Sequence, residues 1–255
     1  MQARTVTYTA LSGIPLIEPG DDLCAIIADA IDAADIIPQR GDTLVIAQKI
    51  VSKAEGRYVD LAEVTPTERA RELAAVTHKD PRLVEVILAE STEVLRQHKD
   101  ILIVAHRLGL VMANAGVDQS NIAPDGGERI LLLPQDPDAS CAALKAAFDR
   151  TFGVEVAVVI NDSFGRAWRN GVVGVALGAA GLPALRNLIG APDLFGRPMR
   201  VTEVAIADEL AAAASLLMGQ ADEGTPVVHV RGLCWDAAPA NAAALIRPKH
   251  MDLFR

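Results

Sequence analysis

The 255-residue chain predicts an α+β fold, with mixed and antiparallel sheets flanked by helices, on three observations. Short β-branched apolar runs and longer helical runs are mixed without the regular alternation of a doubly wound sheet. Neither a G-x-x-x-x-G-K-[ST] loop nor a G-x-G-x-x-G fingerprint after a strand occurs, so neither Walker nor Rossmann phosphate loops are expected. Hydrophobic residues reach 51% with only 4% aromatic, which implies an ample core of Ala, Val, Leu and Ile. No repeat or low-complexity linker divides the sequence. It is expected to form one unit over residues 1–255, which can be built from two intimately packed subdomains.

The elements follow from local pattern. Thr5 to Ala10 alternates as a strand, and Leu23 to Ala33 reads as a helix with Asp21 and Asp22 at its favourable end. Thr43 to Ala47 is a strand after a Gly-Asp turn. Thr65-Pro66-Thr67-Glu68 reads as a capping box with Pro at the first helical position, opening a helix to about Thr77, and Asp80-Pro81 opens another. Ile101 to Ala105 and Leu110 to Ala113 pair as a hairpin around His106 to Gly109. Ser140 to Phe152 is helical, and Val154 to Ile160 is an apolar strand buried on both faces. After the glycine-rich stretch Gly171 to Gly181, Met199 to Ala205 reads as a strand, Ala207 to Leu217 as a helix and Val227 to Val230 as a strand.

A net charge of -9 argues against nucleic-acid and membrane-surface partners. Anionic ligands therefore need local cations, for which Lys49, Lys53, Arg166 and Arg169 are the candidates. No apolar run approaches a membrane span and the amino terminus carries no signal segment. Cys24, Cys141 and Cys234 are scattered and odd in number, so neither a disulfide framework nor a zinc site is expected. The expected setting is reducing and cytoplasmic. His78 and His98 read as solvated, and His106 as a turn residue.

Three segments carry chemistry. Asn161-Asp162-Ser163-Phe164-Gly165-Arg166-Ala167-Trp168-Arg169-Asn170-Gly171 puts an acid, a hydroxyl and two arginines just past the buried strand. A carboxylate there must be paired, hydrated or cation-bound, and the composition suits a site holding a metal and handling phosphate. Ala113-Asn114-Ala115-Gly116-Val117-Asp118-Gln119-Ser120-Asn121 again places a lone Asp past a strand, and two such aspartates can share hard divalent cations. Leu217-Met218-Gly219-Gln220-Ala221-Asp222-Glu223-Gly224-Thr225-Pro226 offers backbone and the Gln220 amide to a ligand. Each has a plainer reading: Asp162 as a cap, Asp118 and Asn121 as turn formers, and the third segment as a connection with Gly as helix stop. Nearer the start, Ser12 to Asp22 contains an apolar turn able to line a purine, and Gln48 to Arg57 puts Lys53 where it can reach phosphate.

Gly13-Ile14-Pro15-Leu16-Ile17, Ser52-Lys53-Ala54-Glu55-Gly56-Arg57, Asn114 to Asn121, Asp162-Ser163-Phe164-Gly165-Arg166 and Leu217-Met218-Gly219 resemble, in order, blocks of the coenzyme F420-0:L-glutamate ligases. The resemblance runs from about Thr5 to Trp235. It implies an unusual α+β fold, a homodimer with the site near its interface, and a GTP-dependent ligase. That ligase adds L-glutamate to the lactyl carboxylate of F420-0, and then γ-linked glutamates, in F420 biosynthesis. It implies two divalent cations, Mg or Mn, with a monovalent cation such as K as a further candidate. The implied metal ligands are Asp118, Asp162, Ser163 and Gln220. The implied nucleotide contacts are Ile14, Pro15, Leu16, Ile17, Gln48, Lys53, Asn121 and the loop Met218, Gly219, Gln220, Ala221, Asp222, Glu223, Gly224 and Thr225. Ser163 stands where Thr is frequent, and Gln48 where a small hydroxyl residue is frequent, which bears on that contact. Some members carry a carboxyl-terminal flavin-dependent domain that completes the tail, and none is expected in these 255 residues.

The chemistry expected is activation of a carboxylate as an acyl phosphate, then attack by the glutamate amine. It relies on metals and fixed donors rather than on covalent catalysis by the protein. Asp162, Arg166 and Arg169 are the candidate catalytic residues, the arginines holding the acceptor's phosphate and carboxylates by forked hydrogen bonds. A metal-dependent phosphohydrolase and a nucleotide-binding regulatory module are the alternative classes.

Overall fold

The computed structural model describes residues 4–120 and 128–253. Its elements run β1 (Thr7–Ala10), α1 (Leu23–Ala33), β2 (Thr43–Ala47), α2 (Gln48–Ala54), β3 (Tyr58–Asp60), α3 (Glu68–Thr77), α4 (Pro81–Ala89), β4 (Ser91–His98), β5 (Ile101–His106) and β6 (Val111–Ala113). They continue with β7 (Arg129–Leu131), α5 (Pro137–Phe152), β8 (Ala157–Arg166), β9 (Arg169–Ala180), β10 (Arg186–Asn187), β11 (Glu203–Val204), α6 (Ile206–Met218) and β12 (Val227–Arg231). This is an α+β fold with mixed and antiparallel sheets. No helix among the described residues is long and apolar enough to cross a membrane.

The central sheet has the order β1-β12-β2-β8-β9, antiparallel except for the β2–β8 pair. Alternation along β8 divides the core. Val158 and Ile160 face the cluster built with Leu23, Ile27 and Ile31 of α1 and Phe148 of α5. Ala157 and Val159 face the opposite cluster with Leu210, Ala211 and Ala214 of α6. Side-chain acceptors start four of the helices: Asp22, Thr67, Asp80 and Asp136 each take a first-turn N–H.

Several predicted boundaries move, each for a visible reason. The cap of α3 is Thr67 rather than Thr65, leaving Pro66 outside the helix. Glu85 Oε2 accepts from both the Thr67 N–H (2.7 Å) and its hydroxyl (2.6 Å), fixing Thr67 at the helix start. The strand expected to end at Ile160 begins at Ala157, because the Val156 N–H is taken by Asp149, and it continues to Arg166. It continues because the glycine-rich stretch is itself a strand, β9, paired with β8 as far as Arg166↔Arg169. A Cβ at Gly174 would collide with Ala211 O, and one at Gly178 with Pro137 O, so these glycines let α6 and the start of α5 press onto the sheet. The strand expected over Met199 to Ala205 shrinks to Glu203–Val204, the preceding stretch folding back in turns around Pro192 and Pro198.

A second assembly comprises α3, α4 and the sheet β4-β5-β6, with Leu73, Val84, Ile87, Leu102 and Val104 between helices and sheet. Glu90 clamps it to the rest of the chain. Its carboxylate takes Arg107 Nε at 3.0 Å and Arg57 Nη2 at 3.2 Å, while Arg57 Nε donates to Leu133 O and Arg107 Nη1 to Gln135 O. His106, expected in a turn, is buried at the end of β5. Its Nδ1 accepts the Leu108 N–H, and its Nε2 faces Glu90 at 3.5 Å.

Burial pushes the Glu90 carboxyl up, but His106, Arg107 and Arg57 outweigh it and hold the group down to about 2. A carboxyl depressed in the folded state stabilises the fold fully above its ordinary range near 4.5, and that contribution fades as pH falls toward 2. Glu90→Gln should therefore cost about 3 kcal/mol at pH 7, since it leaves two partly buried arginines without their carboxylate. Denaturant melts of both proteins from pH 7 to pH 2.5 should show the gap closing in acid, whereas a constant gap would mean that the carboxylate charge is not what holds the clamp.

Candidate active site

The parallel register ends at Ala47↔Asn161, where β2 turns into α2 while β8 runs on. Beyond that point the side of β8 that faced β2 has no neighbouring strand. A cavity of about 520 Å³ opens there, lined from five stretches: Ile14 to Ile17, Ala47 to Ile50 with Lys53, Asp118 with Ser120, Asn161 to Ser163, and Met218 to Pro226. Strand alternation sorts the β8 side chains around it. Asn161 Nδ2 lies 3.1 Å from Ser215 Oγ on α6, the Ser163 hydroxyl donates to Gln220 Oε1 at 2.6 Å in the following loop, and Asp162 projects to the other face.

Asp118 reaches the same place from the second assembly. Asn114, Ala115 and Gly116 all adopt left-handed backbone (φ 51, 54 and 65), an arrangement unfavourable for Asn and more so for Ala. The Asn114 side chain anchors it by accepting the Leu102 N–H. The chain then bridges Leu131 through both backbone groups of Asp118. Asp118 Oδ1 accepts the Ser120 N–H at 2.7 Å, and Oδ2 pairs with Lys49 Nζ at 2.7 Å. Although burial pushes its carboxyl up, Lys49 and the Ser120 N–H hold it below the usual range.

Asp162 is the opposite case. Burial raises its carboxyl to about 6; the Ser163 N–H and Lys49 pull it down, and the charge of Asp118 pushes it up. Lys53, 8% exposed, has its ammonium destabilised by burial and then by Lys49, against a favourable effect of Glu18. Two acids and two ammonium groups thus share one depression. At its side, Gln48 is buried and accepts the Ser52 hydroxyl at 2.9 Å. The loop after α6 is held by Gly219 (φ 71), by Thr225 Oγ1 donating to Leu217 O, and by Glu223 accepting the Ala221 N–H.

The cavity therefore gathers the sequence candidates Ile14, Pro15, Leu16, Ile17, Gln48, Lys53, Asp118, Asp162, Ser163 and the 218–225 loop. Ile17 also roots in the core at 2% exposure, while Leu16 stands 82% exposed. Asn121 lies outside the described residues. Arg166 and Arg169 do not line the cavity: they sit exposed across the tip of the β8–β9 hairpin, four residues or roughly 13 Å along the strand from Asp162. They do not meet Asp162 directly, and their catalytic assignment stays a proposal. Asn161 and Ser120 fall within the segments singled out in the sequence, but the sequence assigns them no role of their own. The sequence marks Lys49 only as a cation, although its spacing of four from Lys53 on one helix is a usable signal.

Residues 13–232 match the sequence model of the family described as F420-0:Gamma-glutamyl ligase. The chain belongs to that family. It is 44% identical over 252 residues to the coenzyme F420:L-glutamate ligase of Methanothermobacter thermautotrophicus, covering 98% of this chain and 99% of that one. It is 47% identical to the coenzyme F420:L-glutamate ligase of Methanopyrus kandleri, covering 94% and 93% of the two chains. For that of Archaeoglobus fulgidus the values are 43%, 96% and 94%. The family match takes in every stretch that lines the cavity.

A raised carboxyl makes a stability claim with a definite sign. The folded chain prefers Asp162 protonated, so its ionised form costs stability above about pH 6, and the cost is absent below the ordinary carboxylate range. Asp162→Asn, whose amide oxygen can still accept the Ser163 N–H, should raise the melting temperature of the metal-free protein at pH 8 by a few degrees. Differential scanning calorimetry should find that gain gone near pH 4, and a lower melting temperature than the parent at pH 8 would contradict it.

Proposed function

We propose that the chain joins L-glutamate to F420-0, with GTP as co-substrate, through an acyl phosphate, and then extends a γ-linked tail. The observation that carries this is the meeting of Asp118 and Asp162, from segments over forty residues apart in sequence, beside Lys49 and Lys53 in one cavity. The names of the family and its relatives support F420 and L-glutamate as substrates, and GTP is part of the proposal. Among the described residues no trio of His, Cys, Asp or Glu forms a metal cluster. The available donors are instead two carboxylates, the Ser163 hydroxyl and the Gln220 amide oxygen, an all-oxygen set that suits hard divalent cations such as Mg or Mn.

Those four residues would hold two divalent cations, which supply charge neutralisation to the triphosphate when bound. The chain's own contribution is placement. Ile14, Pro15, Leu16 and Ile17 offer an apolar wall for the base, Gln48 stands at the side of the pocket, and the 218–225 loop offers backbone N–H groups. Lys53, desolvated and close to Lys49, supplies fixed positive charge toward phosphates without the reorganisation that water would need. A carboxylate oxygen of the acceptor attacks the γ-phosphorus and GDP leaves. The glutamate amine then attacks the acyl carbon, phosphate leaves and the amine gives up a proton. Arg166 and Arg169, at the hairpin tip, are read as outer contacts to the acceptor's anionic groups rather than as groups at the reacting atoms. A homodimer, which would cover the exposed Trp168 and Val172 of that hairpin, belongs to the same reading.

With F420-0, L-glutamate, GTP and Mn(II) or Mg(II), mass spectrometry should find an acceptor heavier by one or more glutamates, with GDP and phosphate released and ATP a poorer co-substrate. Nucleotide hydrolysis that does not depend on glutamate would point to a phosphohydrolase, and an unchanged acceptor mass across cations would refute the ligase. In the same assay Asp118→Asn should lower turnover at least about a hundredfold while leaving the circular dichroism spectrum intact. Near-parental activity at low cation concentration would make Asp118 a turn former.

A further inference from the structure

Lys49 extends from α2 into the cavity, and its ammonium lies 2.7 Å from Asp118 Oδ2, 2.8 Å from Ser120 Oγ and 3.2 Å from Ser120 O. The other oxygen of the same carboxylate, Oδ1, is taken by the Ser120 N–H. Both oxygens of Asp118 thus have partners within the chain. The lysine side chain is 22% exposed and that of Asp118 32%, so the pair is shielded more than a surface ion pair. Its influence reaches further: Lys49 favours the ionised form of Asp162 and disfavours the charged form of its neighbour Lys53.

A cation bonding Asp118 Oδ2 and an ammonium hydrogen-bonded to that oxygen repel each other and claim the same lone pairs. We infer that Lys49 is a built-in competitor for the divalent-cation site, holding Asp118 in place while no metal is bound and leaving it when one binds. The inference rests on the proposed reading of Asp118 and Asp162 as cation ligands. A flexible four-carbon stem allows the ammonium to swing away without moving α2. Lys49 thereby compensates the two acids, which would otherwise repel each other, and cation loading releases one positive charge inside the cavity, next to Lys53.

The test uses the full chain without nucleotide and Mn(II) alone as the probe, with free Mn(II) followed by electron paramagnetic resonance. Lys49→Met should bind Mn(II) at least about fivefold more tightly than the parent, the scale set by losing one shielded ion pair. Lys49→Arg, which keeps the charge, should stay within about twofold. Lys49→Gln serves the same purpose should the methionine variant unfold. Equal or weaker Mn(II) binding in the neutral variants, with binding lost in Asp118→Asn, would overturn the competitor role and leave the cation reading standing. Parental Mn(II) binding in both Asp118→Asn and Asp162→Asn would instead overturn the cation reading itself.

Discussion

The one parallel pair in an otherwise antiparallel sheet fixes where this protein can do chemistry. Parallel strands end at the same edge, so β2 and β8 bring Gln48 to Lys53 and Asp162 to Ser163 to one rim. Antiparallel pairing of the same strands would have sent the lysines and Asp162 to opposite ends of the sheet. β12, antiparallel to β2, starts at that rim, and so the loop joining it to α6 lands there too. Crevices beyond the carboxyl ends of parallel strands are where open α/β sheets place ligands. Here a single such pair is enough.

The site is assembled against local preference. Asp162 is ionised at a cost set by burial, Lys53 is desolvated beside another ammonium, and three successive left-handed residues aim Asp118. Such strain persists only where surrounding structure over-determines it. That support is visible: Leu131 bridges Asp118, the Glu90 clamp ties the second assembly to the strands around Leu133, and Gly174 and Gly178 let helices brace the long hairpin. Packing and partly buried ion pairs remote from the cavity thus hold in place groups that repel or are poorly hydrated within it.

Much of this was legible in the sequence because the signals were local. Leu23 to Ala33 and Thr43 to Ala47 emerge with the predicted limits, and each aspartate of the cavity lies just past the apolar run that advertised it. Not all the misreadings are long-range: β4 (Ser91–His98) pairs with the adjacent β5 and was still missed, but those around the site come from pairing across the fold. Gly171 to Gly181 read only as a glycine-rich stretch and not as a strand, because its glycines answer to Ala211 and Pro137, neither of them a sequence neighbour. For the same reason Asp162 looked like a strand terminus, and Arg166 and Arg169 looked close to it, when all three lie on one hairpin. β3 and β7, three residues each, carry too little periodicity to be seen at all. The pairing of Lys49 with Asp118 joins residues 69 apart and arises from the fold alone.

Asp118 and Asp162, brought to one rim by the β2–β8 pair and the strained turn at Asn114, are proposed to share the divalent cations between them. Anomalous diffraction from crystals soaked in Mn(II) tests this sharing most directly. A strong manganese peak is expected within about 2–2.5 Å of carboxylate oxygens of both residues, in the range of metal–oxygen bonds. Manganese bound elsewhere, with the two carboxylates left to Lys49 and Ser163, would contradict it.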